Sequence, residues 1–153
     1  MSTFADSSAL VKIYADEPGH EQIRAVPVLV ISQLARVEVA AALWRKQRMG
    51  QLSAEQAGVL LAEFDADHDG TYESPERFAV VPVSELIVKV AARLTGVHGL
   101  RGYDAMQLAT AQLAKSADPE CRTFAAFDKA LRAAAVGEGF ALLPRELPDH
   151  AMV

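Results

Sequence analysis

Short apolar segments rich in β-branched and aromatic residues alternate along this chain with longer segments of helical periodicity. The segments predicted as strands are residues 1–5, Val28–Ile31, Phe78–Val83, Thr123–Phe127 and Phe140–Leu143. Helices are predicted between them at Ser7–Ala15, Ser32–Arg48, Ser53–Phe64, Glu85–Val97, Tyr103–Lys115 and Lys129–Val136. Strands that alternate with helices of this length form βαβ units. We therefore expect an α/β fold, a three-layer α/β/α sandwich with a mostly parallel central sheet.

Length and composition narrow the class of protein further. With 153 residues, of which 51% are hydrophobic and 23% charged, the chain has the size of a single domain, expected over residues 1–153. It has no apolar run of roughly 18 residues that could cross a membrane, and its one cysteine, Cys121, allows no internal disulfide. We therefore expect a cytoplasmic protein. Because the formal net charge is −5, any attraction to a nucleic acid must be local or carried by bound cations.

Acidic residues follow two of the predicted strands. Asp6 comes directly after the first strand, and Asp128 stands in the same relation to Thr123–Phe127. Because ligands bind beyond the carboxyl ends of parallel strands, both carboxylates are expected at the binding edge of the sheet. The alternative for each residue is a purely structural helix N-cap, a position at which aspartate is common.

Two further acids fall on predicted helices. On the helix Ser32–Arg48, Ser32 is the expected N-cap, and the apolar residues Leu34, Val37, Ala41 and Trp44 recur at helical spacing and predict its buried stripe. Glu38 lies at the margin of this stripe, where an ionised carboxylate needs a cation or an ion pair, for example with Arg36 or Arg45. Asp104 opens a helix, which its charge would stabilise through the helix dipole. If a parallel sheet gathers these acids in one cleft, their repulsion requires a compensating cation. Mg²⁺ or Mn²⁺, which prefer oxygen ligands, are the natural choice.

Four segments of the chain contain the four acids: Phe4–Lys12, Ser32–Glu38, Leu100–Ala109 and Phe127–Leu131. In order and spacing they resemble the motif blocks of VapC-type PIN domains, and the resemblance covers essentially the whole chain. It implies that Asp6, Glu38, Asp104 and Asp128 form an acidic metal site with endoribonuclease activity. It also implies a homodimer and a cognate antitoxin protein whose tail occupies the active-site groove. Many PIN domains carry Ser or Thr two residues before the last acid, where this chain has Ala126.

Hydrolysis of an RNA phosphodiester bond at such a site uses one or two divalent ions to activate water and to neutralise the phosphate. Ser8 is a candidate for orienting water or phosphate, although an ordinary first-turn serine is the simpler interpretation. Lys12 and Arg101 are candidate phosphate contacts, and solvated surface charges are the alternative for both. The basic residues of segment 45–48 could contact RNA backbone or complement the helix dipole.

The segment Asp65–Glu76 supports a rival hypothesis, because it matches the calcium-binding pattern D-x-D-x-D-G-x₅-E of an EF-hand. The following segment from Phe78 reads as a strand rather than as the second helix of such a hand, and Pro75 stands where that helix would begin. A solvated acidic loop is therefore the preferred interpretation. A third hypothesis is a PIN-fold RNA-processing nuclease without an antitoxin. A fourth is a receiver-like domain, which would need paired acids after the first strand.

Overall fold

The computed structural model describes residues 1–149, in which five parallel strands form one sheet of order β3-β2-β1-β4-β5. The predicted α/β class with a parallel sheet is confirmed. Residues 150–153, the end of the single domain expected over residues 1–153, lie outside the described part. The strands are β1 (Thr3–Ala5), β2 (Leu29–Ser32), β3 (Phe78–Val81), β4 (Thr123–Ala125) and β5 (Ala141–Leu143).

The strand order reverses direction beside β1. The chain builds β2 and β3 on one side of β1 and then returns to place β4 and β5 on the other side. In register, Phe4 faces Phe124 and Ala5 faces Ala125, so β1 and β4 end at the same level. A crevice beyond the carboxyl ends of the strands at such a reversal is the usual ligand site of an open parallel sheet.

Helices cover both faces of the sheet. They are α1 (Ser7–Tyr14), α2 (His20–Arg24), α3 (Ala35–Arg48), α4 (Ala54–Asp69), α5 (Glu85–His98), α6 (Gly102–Ala117) and α7 (Lys129–Gly137). Phe4 and Phe124 pack with α5, α6 and α7, whereas Ala5, Ile31 and Ala125 pack with α1 to α4. This alternation follows from the two-residue period of a strand and gives the three layers. Among residues 1–149 no helix is both long and apolar enough to cross a bilayer.

The start and the buried face of α3 differ from the prediction. Ser32, predicted as the N-cap, is the last residue of β2, and its hydroxyl accepts a hydrogen bond from Leu34 N–H at 3.1 Å. The stripe buried by α3 contains Val39 and Leu43, while Val37, which was predicted to be buried, is exposed. The spacing of the apolar residues was misleading because a second apolar stripe on the same helix, formed by Ala35, Val39 and Leu43, packs against α1 and α4.

Helix α4 continues five residues beyond its predicted end, so much of the predicted acidic loop is helical. Asp67 accepts a hydrogen bond from the Tyr14 hydroxyl at 2.6 Å, and Asp69 accepts two from the Arg36 guanidinium at 2.7 Å each. These contacts with α1 and α3 stabilise the last turn of α4. Because Asp65, Asp67 and Asp69 lie on a helix rather than in a turn, their carboxylates do not form the ligand loop of an EF-hand.

One helix was not predicted at all. No element was predicted between the helix Ser7–Ala15 and the strand Val28–Ile31, but α2 begins immediately after Gly19, which has a φ of 91°. The helix has only five residues, too few for periodicity to reveal it. Ile23 anchors it in the core shared by α1 to α4.

Candidate active site

All four predicted acids line one cavity, of about 500 Å³, at the carboxyl ends of β1 and β4. We call it the carboxylate cavity. Asp6 lies between β1 and α1, Glu38 and Asp104 lie in the first turns of α3 and α6, and Asp128 lies between β4 and α7. The fold therefore brings the four residues together, as parallel topology predicts. Ser8, Lys12 and Arg101, the three candidate contacts, line the same cavity.

Asp6 is a buried N-cap that also faces the cavity. Its Oδ1 accepts hydrogen bonds from Ala9 N–H at 3.0 Å and from the Ser8 hydroxyl at 2.7 Å. Burial raises the pKa of the Asp6 carboxyl to about 7; these two hydrogen bonds oppose the rise, and repulsion by Glu38 and Asp104 adds to it. In residues 1–149 no lysine or arginine forms an ion pair with Asp6. The capping interpretation is thus correct, but it leaves the charge uncompensated.

Ser8 connects Asp6 to the neighbouring strand. Its hydroxyl donates to Asp6 and accepts a hydrogen bond from Phe127 N–H at 3.1 Å. Ser8 is therefore more than an ordinary first-turn serine, because it fixes the Asp6 carboxylate relative to the segment that follows β4. The side chain at Ala126, where many PIN domains have a hydroxyl, is fully buried and apolar.

Glu38 is held by an amide rather than by an arginine. Its Oε1 accepts a hydrogen bond of 2.7 Å from Gln107 Nε2, and Arg36, the first of the two predicted partners, instead pairs with Asp69. Burial raises the pKa of the Glu38 carboxyl, hydrogen bonds from Gln107 and Ser7 lower it, and repulsion by Asp104 raises it. The predicted ion pair of Glu38 with Arg36 is wrong, and no ion pair with Arg45 is present in residues 1–149.

Sequence reasoning missed Gln107 and Ser7. Gln107 is buried on α6, and its Nε2 also donates to the Ser7 hydroxyl oxygen at 3.1 Å. A signal for Gln107 was available in the sequence, because it lies three residues after Asp104 and therefore on the same helical face. Its Oε1 is buried without a hydrogen-bond partner in the described residues.

Asp104 and Asp128 share one arginine at the mouth of the cavity. Arg101 Nε lies 3.4 Å from Asp104 Oδ2, and Arg101 Nη2 lies 4.0 Å from Asp128 Oδ2. The Arg101 side chain is 83% exposed, so solvent weakens both pairs. Burial raises the pKa of the Asp104 carboxyl, Arg101 opposes the rise, and Asp128 adds to it. Asp128 also caps α7 by accepting a hydrogen bond from Leu131 N–H at 2.9 Å.

Lys12 is not a solvated surface charge. The residue is only 6% exposed, its ammonium lies 4.2 Å from the centre of the Phe127 ring, and it forms an ion pair of 3.4 Å with Glu17. The interpretation of Lys12 as a surface charge is therefore wrong, while the same interpretation of Arg101 describes its exposure correctly. A buried lysine places a fixed positive charge in the wall of the carboxylate cavity.

The residues present suit a hard divalent cation. Every acid in the cavity offers oxygen ligands, and the buried Asp6 carboxylate lacks a positive partner in the described residues. Among those residues no three His, Cys, Asp or Glu side chains are arranged tightly enough to enclose an ion. A cation in this cavity would therefore be held by one or two carboxylates together with waters, as Mg²⁺ commonly is.

Three solved structures share this fold. A toxin–antitoxin complex from Klebsiella pneumoniae is 18% identical, with a TM-score of 0.52 over 82% of this chain and 86% of that chain. FitAcB from Neisseria gonorrhoeae is 16% identical, with a TM-score of 0.59 over 92% and 95%. PAE2754 from Pyrobaculum aerophilum is 23% identical, with a TM-score of 0.61 over 94% and 90%. Comparison with curated protein sequences gives no significant match.

The family is shown by a direct comparison of sequence. The model of the PIN domain family matches residues 3–137, a span that runs from β1 through α7 and includes all four acids of the carboxylate cavity. The resemblance stated from the four motif segments is confirmed by this match. The chain belongs to the PIN domain family.

Proposed function

We propose that this protein is a divalent-metal-dependent endoribonuclease and the toxin of a toxin–antitoxin pair. PIN domains are generally nucleases, and they usually use divalent metals. The observation that carries the proposal is the convergence of Asp6, Glu38, Asp104 and Asp128 on one cavity in which the buried Asp6 has no positive partner among residues 1–149. Folding alone does not explain this concentration of like charge.

Asp6, Glu38 and Asp104 would hold Mg²⁺ or Mn²⁺ directly or through water, and Asp128 would complete the shell. When bound, the ion supplies an activated water and neutralises charge on the phosphate. Two side chains support the acids: Ser8 orients Asp6, and Gln107 orients Glu38. Both contacts hold the carboxylates in fixed positions, which catalysis requires.

RNA would enter the carboxylate cavity against local positive charge. Lys12 in the wall and Arg101 at the mouth are the proposed phosphate contacts, and the exposed Arg101 is free to turn from Asp104 towards substrate. Because the net charge of the protein is −5, this local charge is what attracts the phosphate backbone. Under this proposal the protein acts in the cytoplasm, where its RNA substrates are.

An antitoxin partner is proposed from the likeness to the Klebsiella pneumoniae complex, which is described as a toxin–antitoxin complex. A homodimer is also part of the proposal. An apolar groove between α5 and α6, lined by residues that include Val88, Tyr103 and Met106, supports it. Light scattering of the purified protein alone tests the dimer, and co-purification with the product of a short neighbouring reading frame tests the antitoxin.

Cleavage of labelled RNA by the purified protein tests the central claim. We expect cleavage with Mg²⁺ or Mn²⁺, none with EDTA, and none by Asp6→Asn or Asp104→Asn at unchanged fold. Asp65→Asn is the matched control, because Asp65 lies on α4 and does not line the cavity. Full cleavage by Asp6→Asn, or by the wild type in EDTA, contradicts the proposal. Growth arrest on expression, absent with Asp6→Asn, separates a toxin from an RNA-processing nuclease.

A further inference from the structure

A second cavity, of about 590 Å³, adjoins the carboxylate cavity on the side of α4. The two cavities share three lining residues, Glu17, Lys46 and Gln51. The adjoining cavity lies between the loop that follows α1, the end of α3 and the first half of α4. Its lining is partly apolar, with Leu52 and Leu60, and partly acidic, with Asp16 and Glu55, and its volume is in the range of cavities that bind small organic groups.

The boundary between the cavities is an ion cluster of Lys12, Lys46 and Glu17, and we call its two lysines the lysine pair. Lys12 Nζ lies 3.4 Å from Glu17 Oε1, and Lys46 Nζ donates to Glu17 Oε2. The three side chains come from α1, from the loop after it and from α3. Two ammonium groups therefore converge on one anionic group, which is the arrangement needed to bind a phosphate.

We propose that the lysine pair binds the phosphate next to the scissile one in single-stranded RNA, and that the base attached to it enters the adjoining cavity. This inference rests on the proposed function. Glu17 occupies the anion position in the free protein and yields to the phosphate when RNA binds. Its location in the loop between α1 and α2, where it is partly exposed, allows the carboxylate to turn aside.

Charge and accessibility both support this substrate class. The carboxylate cavity is lined by acids around Asp6 and by Lys12 and Lys46 at its boundary, so one part of it suits a cation and another part suits a phosphate. A base can enter a cavity only when it is unpaired and unstacked, as in loops and single strands. Sequence-tolerant binding of single strands commonly combines basic contacts to the backbone with aromatic side chains that stack on the bases, and Tyr14 lines the adjoining cavity.

Fluorescence anisotropy with a short labelled single-stranded RNA tests the inference, in an Asp6→Asn background with Mg²⁺. We expect Lys46→Gln to weaken binding roughly tenfold, as for the loss of one charge-assisted hydrogen bond. The slope of log affinity against log salt should also become shallower by about 0.7, the contribution of one phosphate contact. Lys89→Gln is the matched control, because Lys89 is exposed on α5 and lines neither cavity.

Two more variants distinguish the binding of the phosphate from the binding of the base. Glu17→Gln should tighten binding, because it removes the anion that competes with phosphate; a role confined to stability would leave binding equal or weaker. Leu60→Trp, which fills the adjoining cavity, should weaken binding without changing the salt slope. Melting temperatures confirm that each variant is folded.

The outcomes distinguish failure of the inference from failure of the proposed function. If the Asp6→Asn protein binds RNA but Lys46→Gln behaves like Lys89→Gln, the inference is overturned while the nuclease stands. If Glu17→Gln weakens binding, the competition between carboxylate and phosphate is refuted. If the wild type neither binds nor cleaves RNA, the proposed function and the inference fail together.

Discussion

Asp6→Asn should stabilise the metal-free protein at neutral pH although it removes the proposed activity. Asparagine can still accept the hydrogen bonds from Ala9 N–H and the Ser8 hydroxyl, so α1 keeps its cap. The substitution removes only the buried charge. Raising the pKa of the Asp6 carboxyl from 3.8 to about 7 corresponds to a cost of up to about 4 kcal/mol for ionisation in the folded state.

The direction of the pKa shift of Asp6 determines the pH range over which the stabilities of the two proteins diverge. Because the pKa of Asp6 is higher in the folded than in the unfolded protein, the folded state favours the protonated acid. The free energy of unfolding of the wild type should therefore fall, relative to that of Asp6→Asn, as pH rises from about 4 to about 7. Above that range the variant should be more stable by up to about 4 kcal/mol.

Urea denaturation in EDTA from pH 4 to 8, with both proteins measured in parallel, tests this prediction. The difference between the two curves isolates Asp6, because every other titrating group is common to both proteins. Mg²⁺ should then stabilise the wild type more than Asp6→Asn, since a ligand of the folded state stabilises it by mass action. A difference that is constant with pH, or a variant less stable at pH 8 than the wild type, would refute the reasoning.

The supporting contacts give three further predictions. Ser8→Ala should lower the free energy of unfolding by about 2 kcal/mol in urea denaturation, because it leaves a backbone N–H unpaired; an unchanged value would contradict the bridge to Asp6. Gln107→Leu should raise the pKa of Glu38 further and move the acidic limb of the pH–rate profile of cleavage to higher pH; an unmoved limb would show that the amide does not tune the acid. Arg101→Gln should lower the Mg²⁺ concentration for half-maximal cleavage roughly threefold, in line with an exposed ion pair, while raising KM for RNA; if both stay constant, Arg101 touches neither ion nor substrate.

The positions of the acids were predictable because they depend on topology. Asp6 and Asp128 each follow a strand, and parallel strands end at a common edge, so alternation of strands and helices was sufficient to bring them together. Asp104 lies in the first turn of a helix that was predicted to begin at Tyr103 and begins at Gly102. Neither step required knowledge of side-chain contacts.

Partners that come from distant segments were not predictable in the same way. Glu38 is hydrogen-bonded to Gln107, 69 residues away. Arg36 does not pair with Glu38 because its guanidinium is hydrogen-bonded to Asp69. The end of α4 was mispredicted for the same reason, because hydrogen bonds from Arg36 and Tyr14 stabilise a last turn whose sequence favours a loop. Local patterns carry no information on such long-range contacts.

The carboxylate of Asp6 is the strongest argument that this cavity binds a cation. As a helix cap, asparagine would serve as well and would avoid the cost of a buried charge. Glu38 and Asp104 add to that cost, because each also has a raised pKa and each repels its neighbours. A group of acids that destabilises the free protein, while Ser8 and Gln107 hold its members in place, is expected where a bound cation compensates the charge.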